Sequence, residues 1–164
     1  MAQLNVIEEG AVGAPADRVY EYIANTSEHH RHFLPPSFSD LRVEEGGYGA
    51  GTIFRVRVTL AGNTRDLHMR VGEPLPGRVL TESDLHSPMI TTWTVTPDTA
   101  GCRVRIATEW TSASGLQGFL ERLFAPGAMR KIYRDELVRL DRYARSQNPP
   151  PARTIHPPPP NTAQ

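Results

Sequence analysis

The chain has 164 residues, enough for one domain with a single core, and its eighteen basic and eighteen acidic residues give a formal net charge of zero. That balance argues against a dedicated nucleic-acid binder, which shows a basic excess, and the single cysteine, Cys102, excludes an internal disulfide and any multi-cysteine metal site. No apolar run approaches the roughly 20 residues of a membrane span, and the N-terminus lacks the basic-then-apolar order of a secretion signal, so a soluble cytoplasmic protein is expected.

Leu4 to Val12 reads as a first strand, although the adjacent pairs Val6-Ile7 and Glu8-Glu9 blur its alternation and leave its register open. Ala14 to Asn25 reads as a helix, with Pro15 at an early position, Asp17 in the first turn and Val19, Tyr20, Tyr22 and Ile23 as its apolar face. Thr26 or Ser27 caps a second short helix that Pro35-Pro36 ends after Leu34. The period then changes to two. Leu41 and Val43 alternate with charged residues, as do Phe54, Val56, Val58 and Leu60, and then Leu67, Met69 and Val71.

Further strands follow at Val79 to Asp84, Met89 to Thr96 and Cys102 to Trp110, joined by turns rich in Gly, Pro and Asn. Consecutive hairpins make the sheet antiparallel, with about seven strands including the first. Leu116, Phe119, Leu120, Leu123, Phe124, Ile132, Leu137, Leu140 and Tyr143 then recur mostly at spacings of three and four, the stripe of a closing helix. Pro126-Gly127 is expected to kink or break it into a short first and a longer second segment. The domain is expected over residues 1–147; residues 148–164, seven prolines among seventeen residues, read as an extended or disordered tail. This order of elements implies an α+β fold in which a curved sheet grips the closing helix around a cavity.

The segment Val12-Gly13-Ala14-Pro15-Ala16-Asp17-Arg18-Val19-Tyr20-Glu21-Tyr22-Ile23-Ala24-Asn25 resembles the opening of the polyketide cyclase/dehydrase and lipid-transport family, part of the START/Bet v 1-like (SRPBCC) helix-grip superfamily. The similarity continues through Gly51-Thr52, Val71-Gly72-Glu73-Pro74, Gly77-Arg78-Val79-Leu80, Trp93-Thr94-Val95-Thr96-Pro97 and Gly101-Cys102-Arg103-Val104 to Leu137-Val138-Arg139-Leu140. The resemblance implies a helix-grip fold with two short helices after the first strand and a hydrophobic cavity between sheet and C-terminal helix. Members of the superfamily bind sterols, lipids, aromatic polyketides, hormones or quinones, so fold alone does not choose among them.

The residues expected to wall such a cavity are Phe54, Val56, Val58, Met69, Trp93, Ile106 and Trp110 on the strands, Thr91 and Thr108 as polar interruptions, and Phe124 on the helix. In this superfamily the segment holding His29-His30-Arg31-His32 lies near the cavity mouth. On a regular helix His29, His32 and Phe33 share one face while His30 and Leu34 share a neighbouring one, which makes His29, His32 and Phe33 the candidate mouth residues. No two histidines stand four apart and no carboxylate or cysteine matches them, so no metal is expected, and no cofactor. No pair of ionisable groups is evident on the inward faces, which leaves no catalytic residue to name.

Arg55, Arg57, Arg70, Arg103 and Arg105 form an outer basic face read as solvated and balanced by acids. The functional expectation is the binding or transport of a small hydrophobic lipid, quinone or polyketide-like molecule by a monomer or homodimer, without nucleic acid. Cyclase, aromatase or dehydratase chemistry in the same cavity is the alternative, and an interaction module with a vestigial cavity the second alternative.

Overall fold

Alternating apolar and charged residues build strands with one dry face, and in the computed structural model, which describes residues 3–60, 62–111 and 126–149, seven of them form one sheet. In chain order the elements are β1 (Gln3–Val12), α1 (Ala16–Ala24), a 3-10 turn (His30–His32), β2 (Phe38–Glu45), β3 (Ile53–Leu60), β4 (Asn63–Leu75), β5 (Val79–Asp84), β6 (Ile90–Asp98), β7 (Gly101–Thr111) and α2 (Pro126–Gln147). The spatial order is β1-β7-β6-β5-β4-β3-β2, antiparallel at each pairing, so every connection from β2 to β7 is a hairpin while β1 docks beside the last strand. The curved sheet presents one face to α1 and α2, and that enclosed layer is the core. No described helix is long and apolar enough to cross a membrane.

Period-two burial is clean in the central strands. Phe54, Val56 and Val58 on β3, Leu67, Met69 and Val71 on β4, and Trp93 and Val95 on β6 are all buried. Val6 is fully buried while Ile7 is 37% exposed, which settles the register of β1: Val6, Glu8, Gly10 and Val12 face the helix layer. Glu8 meets Arg134 of α2 at 3.1 Å, and Gly10 lies against the Leu137 side chain, which a Cβ there would touch at about van der Waals distance. Gly101, at the β6–β7 hairpin, has φ +141°, and a Cβ there would lie 2.4 Å from the Val12 carbonyl oxygen, so the closure of β7 against β1 requires a glycine.

The outer face carries ion pairs. Arg55 pairs with Glu44, Arg57 with Asp40 and Asp66, and Arg103 with Glu9, each across neighbouring strands.

One expectation changes in detail. The segment after Asn25 is not a second α-helix: only His30–His32 forms a 3-10 turn, closed by hydrogen bonds from His32 N–H to the His29 carbonyl and from Phe33 N–H to the His30 carbonyl. α2 is described from Pro126 onward, so the expected kink or break at Pro126-Gly127 falls at the edge of the described residues. The expected short helical segment before it, with Phe124, lies outside the described residues, as does the tail beyond residue 149.

Candidate functional site

Three residues per turn, in place of 3.6, decide which histidine enters the core. In the turn, positions three apart eclipse, so His30 and Phe33 point inward together while His29 and His32 point to the same outer neighbour. His30 is 3% exposed. Its Nδ1 lies 3.2 Å from the Ile23 carbonyl oxygen, and because a carbonyl only accepts, Nδ1 carries a proton and Nε2 is the ring nitrogen turned to the interior.

Two carboxyl groups converge on that ring. Glu136 Oε1 is 4.0 Å from His30 Nε2, and Glu82 Oε1 is 4.0 Å from His30 Nδ1. Glu82 is inward because β5 alternates Leu80, Glu82, Asp84 on its buried face. Glu136 is inward because it stands within the α2 stripe of Met129, Ile132, Tyr133, Leu137 and Leu140. The expectation that the inward faces hold no ionisable pair is therefore corrected: they hold two carboxyls and an imidazole. Burial pushes the Glu136 carboxyl well above the usual carboxylate range, and the nearby Glu82 and Asp135 push it further. Burial raises Glu82 as well, against the opposing pull of His30 and the Trp93 indole N–H.

These groups line a cavity with a free volume of about 50 Å³, bounded by Phe54, Val56, Leu67, Met69, Met89, Thr91, Trp93, Met129, Tyr133, Leu34, Phe38 and Leu41. Every methionine after Met1 is on this wall. Beside Glu136, one helical turn earlier, the Tyr133 hydroxyl shares a hydrogen bond with Thr108, whose hydroxyl is 2.7 Å from that of Thr91. Burial pushes the Tyr133 hydroxyl upward, so it is a neutral phenol across the working pH range. The site thus has an imidazole and carboxyl pole beside a hydroxyl pole, in an otherwise apolar chamber.

Of the residues expected from sequence, Phe54, Val56, Met69, Thr91 and Trp93 line this cavity. Phe33, Val58, Ile106, Thr108 and Trp110 are buried in the surrounding core without bounding it. His29 and His32 stand elsewhere: His29 Nδ1 is 2.7 Å from the Tyr143 hydroxyl, and the His32 ring stacks on Tyr143 with centroids 5.1 Å apart. Cys102 is fully buried, and burial with Asp98 and Asp141 nearby pushes its thiol up to about 11, which makes it a packing residue. No group of three or more described His, Cys, Asp or Glu residues is arranged to hold a metal ion.

A family model described as polyketide cyclase / dehydrase and lipid transport matches residues 4–145. The chain belongs to that family. Among solved structures, the KanY protein is 29% identical with a TM-score of 0.77, the alignment covering 88% of this chain and 99% of that one. The Zhui aromatase/cyclase from Streptomyces sp. R1128 is 19% identical with a TM-score of 0.72, covering 90% of this chain and 96% of that one. The di-domain ARO/CYC StfQ from the steffimycin biosynthetic pathway is 16% identical with a TM-score of 0.69, covering 89% of this chain and 52% of that one. The last two likenesses carry the fold. No curated protein matches the chain.

The buried carboxyl sets a pH dependence. Because the folded protein holds Glu136 protonated where the unfolded chain would ionise it, that contribution to stability is complete below the ordinary carboxylate pKa of about 4.3 and is lost as pH rises through the raised folded value. Glu136→Gln, which keeps the shape without the ionisation, is expected to flatten the fall of Tm with rising pH and to lift Tm by at least about 2–4 °C at alkaline pH. Thermal unfolding across the pH range reads this out; an unchanged slope would show that Glu136 ionises without cost.

Proposed function

We propose that the chain binds a small hydrophobic carbonyl compound in this cavity and closes it by proton transfer, the chemistry of a cyclase and dehydratase. The observation that carries the reading is the 4.0 Å gap between Nε2 of His30, whose Nδ1 faces the Ile23 carbonyl, and the Glu136 carboxyl, which burial pushes well above the usual carboxylate range, a base and an acid flanking one point of the cavity wall.

On a substrate with two ketone groups, His30 Nε2 takes a proton from the carbon next to one carbonyl. The Tyr133 and Thr91 hydroxyls lie on the wall where the enolate oxygen develops. The enolate carbon attacks the second carbonyl carbon, a carbon–carbon bond forms, and Glu136 delivers its proton to the resulting alkoxide. The imidazolium then returns its proton to the Glu136 carboxylate, and the pair is reset without net proton uptake. Loss of water from the new alcohol, with the same two groups acting again, gives the unsaturated ring.

The apolar majority of the lining supports a second reading, carriage of a hydrophobic molecule without reaction. A free volume of about 50 Å³ is below the roughly 300–1,000 Å³ of ordinary ligand pockets, so either reading requires the wall to yield. Met69, Met89 and Met129 supply that freedom, since an unbranched thioether side chain repacks at little cost.

The deciding experiment incubates the protein with an aryl diketone able to close by intramolecular aldol condensation and follows the mixture by mass spectrometry. Catalysis predicts a product lighter by one water formed at a rate proportional to protein. Carriage predicts unchanged diketone recovered with the protein by native mass spectrometry and organic extraction.

A further inference from the structure

The outer face of the sheet, away from the cavity, brings two imidazoles together. His68 of β4 and His86 of the β5–β6 hairpin place Nδ1 and Nε2 3.3 Å apart, with ring centroids 5.4 Å apart and planes tilted by 37°. Behind His68 stands Glu44 of β2, whose Oε2 lies 2.7 Å from His68 Nε2, while Arg55 Nε donates to its other oxygen at 2.6 Å. Arg55 first, and His68 after it, hold the Glu44 carboxyl below the usual carboxylate range, so it is an ionised group that only accepts. Nε2 of His68 therefore carries a proton, and in the neutral ring the lone pair belongs to Nδ1, the nitrogen turned toward His86. The backbone beneath the pair is fixed: the Leu85 N–H bonds the His68 carbonyl at 2.8 Å, and Asp84 accepts from the His68 N–H at 3.3 Å and from the Ser87 hydroxyl at 2.6 Å.

We propose that His68 Nδ1 and His86 Nε2 form a two-histidine chelate for a divalent transition-metal ion of the Zn²⁺ class. Around a tetrahedral ion with Zn–N bonds of about 2.0–2.1 Å, two ligand nitrogens stand roughly 3.3–3.4 Å apart, the separation this pair already has. Imidazole suits Zn²⁺, Cu²⁺ and Ni²⁺, whereas Mg²⁺ and Ca²⁺ take oxygen ligands. Glu44 does what a carboxylate does behind a metal-bound histidine: it fixes the tautomer, orients the ring and makes the free nitrogen more basic. His86 is exposed, so its ring can turn. The ion takes the place of the hydrogen between the rings, the His86 proton passes through solvent to its own Nδ1, and both rings stay neutral. Two protein ligands are fewer than the groups of three absent among the described residues, so water completes the coordination and the ion exchanges freely. The hairpin that carries His86 closes with the Asp84 N–H on the Met89 carbonyl at 3.0 Å, and Met89 is part of the cavity wall, so the ion ties down from outside a segment on which that wall depends. The site itself is independent of what the cavity binds.

The test is calorimetric titration of the full chain near neutral pH with zinc chloride, with magnesium chloride as the oxygen-seeking comparison. Wild type is expected to take up Zn²⁺ and not Mg²⁺. His86→Ala, a change at an exposed hairpin position, is expected to weaken Zn²⁺ binding at least about tenfold, and Glu44→Gln, which removes the orienting charge, by about tenfold or more. His29→Ala and His32→Ala, whose rings lie against Tyr143, are expected to leave the affinity within about twofold. NMR of the histidine rings needs no variant to fold: one equivalent of Zn²⁺ is expected to shift two of the six, those of His68 and His86. Absence of Zn²⁺ uptake at millimolar concentration overturns the site. Unchanged affinity in His86→Ala, or shifts confined to other histidines such as His156, overturns it because the ion is then held elsewhere. Equal affinity for Mg²⁺ overturns the imidazole assignment in favour of carboxylates.

Discussion

His30→Gln is expected to lower the rate of ring closure by about 10²–10⁴-fold, the span contributed by a positioned general base, while binding of the diketone changes little. The substitution is chosen because a glutamine amide N–H can replace the donor that Nδ1 offers to the Ile23 carbonyl, and the amide fills much of the space between Phe33 and Trp93, whose rings lie 4.8 and 5.9 Å from the imidazole. What it removes is the imidazole nitrogen facing Glu136 at 4.0 Å. His29→Gln and His32→Gln are the controls. Both rings contact Tyr143 and neither bounds the cavity, so rates within about twofold of wild type are expected, well under the contribution of a general base. Rates are followed by product appearance under saturating substrate, with folding checked by circular dichroism. If His30→Gln retains the wild-type rate while His29→Gln loses it, the base lies at the Tyr143 cluster and the assignment is wrong.

That contrast also marks where the sequence was legible. The strands, their antiparallel order and the gripped helix follow from period-two and period-3.6 patterning, which depends on the chemistry of each side chain and little on its surroundings. The short segment between Asn25 and Pro35 has too few residues for a period to declare itself. Read at 3.6 residues per turn it sends His29 and His32 to the ligand; folded as a 3-10 turn it sends His30 and Phe33 to the core.

Glu82 and Glu136 were hidden for a different reason. Both occupy inward positions of recognisable patterns, two residues after Leu80 and four before Leu140, but a carboxyl in an apolar stripe is ordinarily read as the edge of the buried face because burying its charge is expensive. The signal was the coincidence of two such violations with a histidine, and only the tertiary fold brings β5, α2 and the turn to one point. Local rules broken at a few positions inside an otherwise consistent pattern are where function is expected.

Trp93→Ala is expected to cost about 3–5 kcal/mol of unfolding free energy, the range for emptying a buried tryptophan site. Trp93 is 2% exposed, its ring meets His30 edge-on at 5.9 Å and Phe33 at 6.4 Å, and on β6 it stands between Leu80 of β5 and Ile106 of β7. Truncation removes those contacts, joins the vacated space to the existing cavity, and strips Glu82 of the indole N–H that favours its ionised form. The loss falls toward the lower bound if Met69, Met89 and Met129 fold into the void, because the cost of a cavity depends on how far the site collapses.

The same reasoning makes the lesion reversible by a ligand. Free indole has the shape of what was removed, and at about a hundredfold excess over its dissociation constant it would return about 2.7 kcal/mol by mass action, provided it binds the folded state alone. Urea unfolding of the variant with and without indole, against wild type under both conditions, measures both parts. A loss below about 1 kcal/mol with no response to indole would mean that Trp93 does not hold the wall. A full loss with indole rescue would show a chamber beside His30 and Glu136 that accepts an aromatic guest, the property on which ligand entry to this site depends.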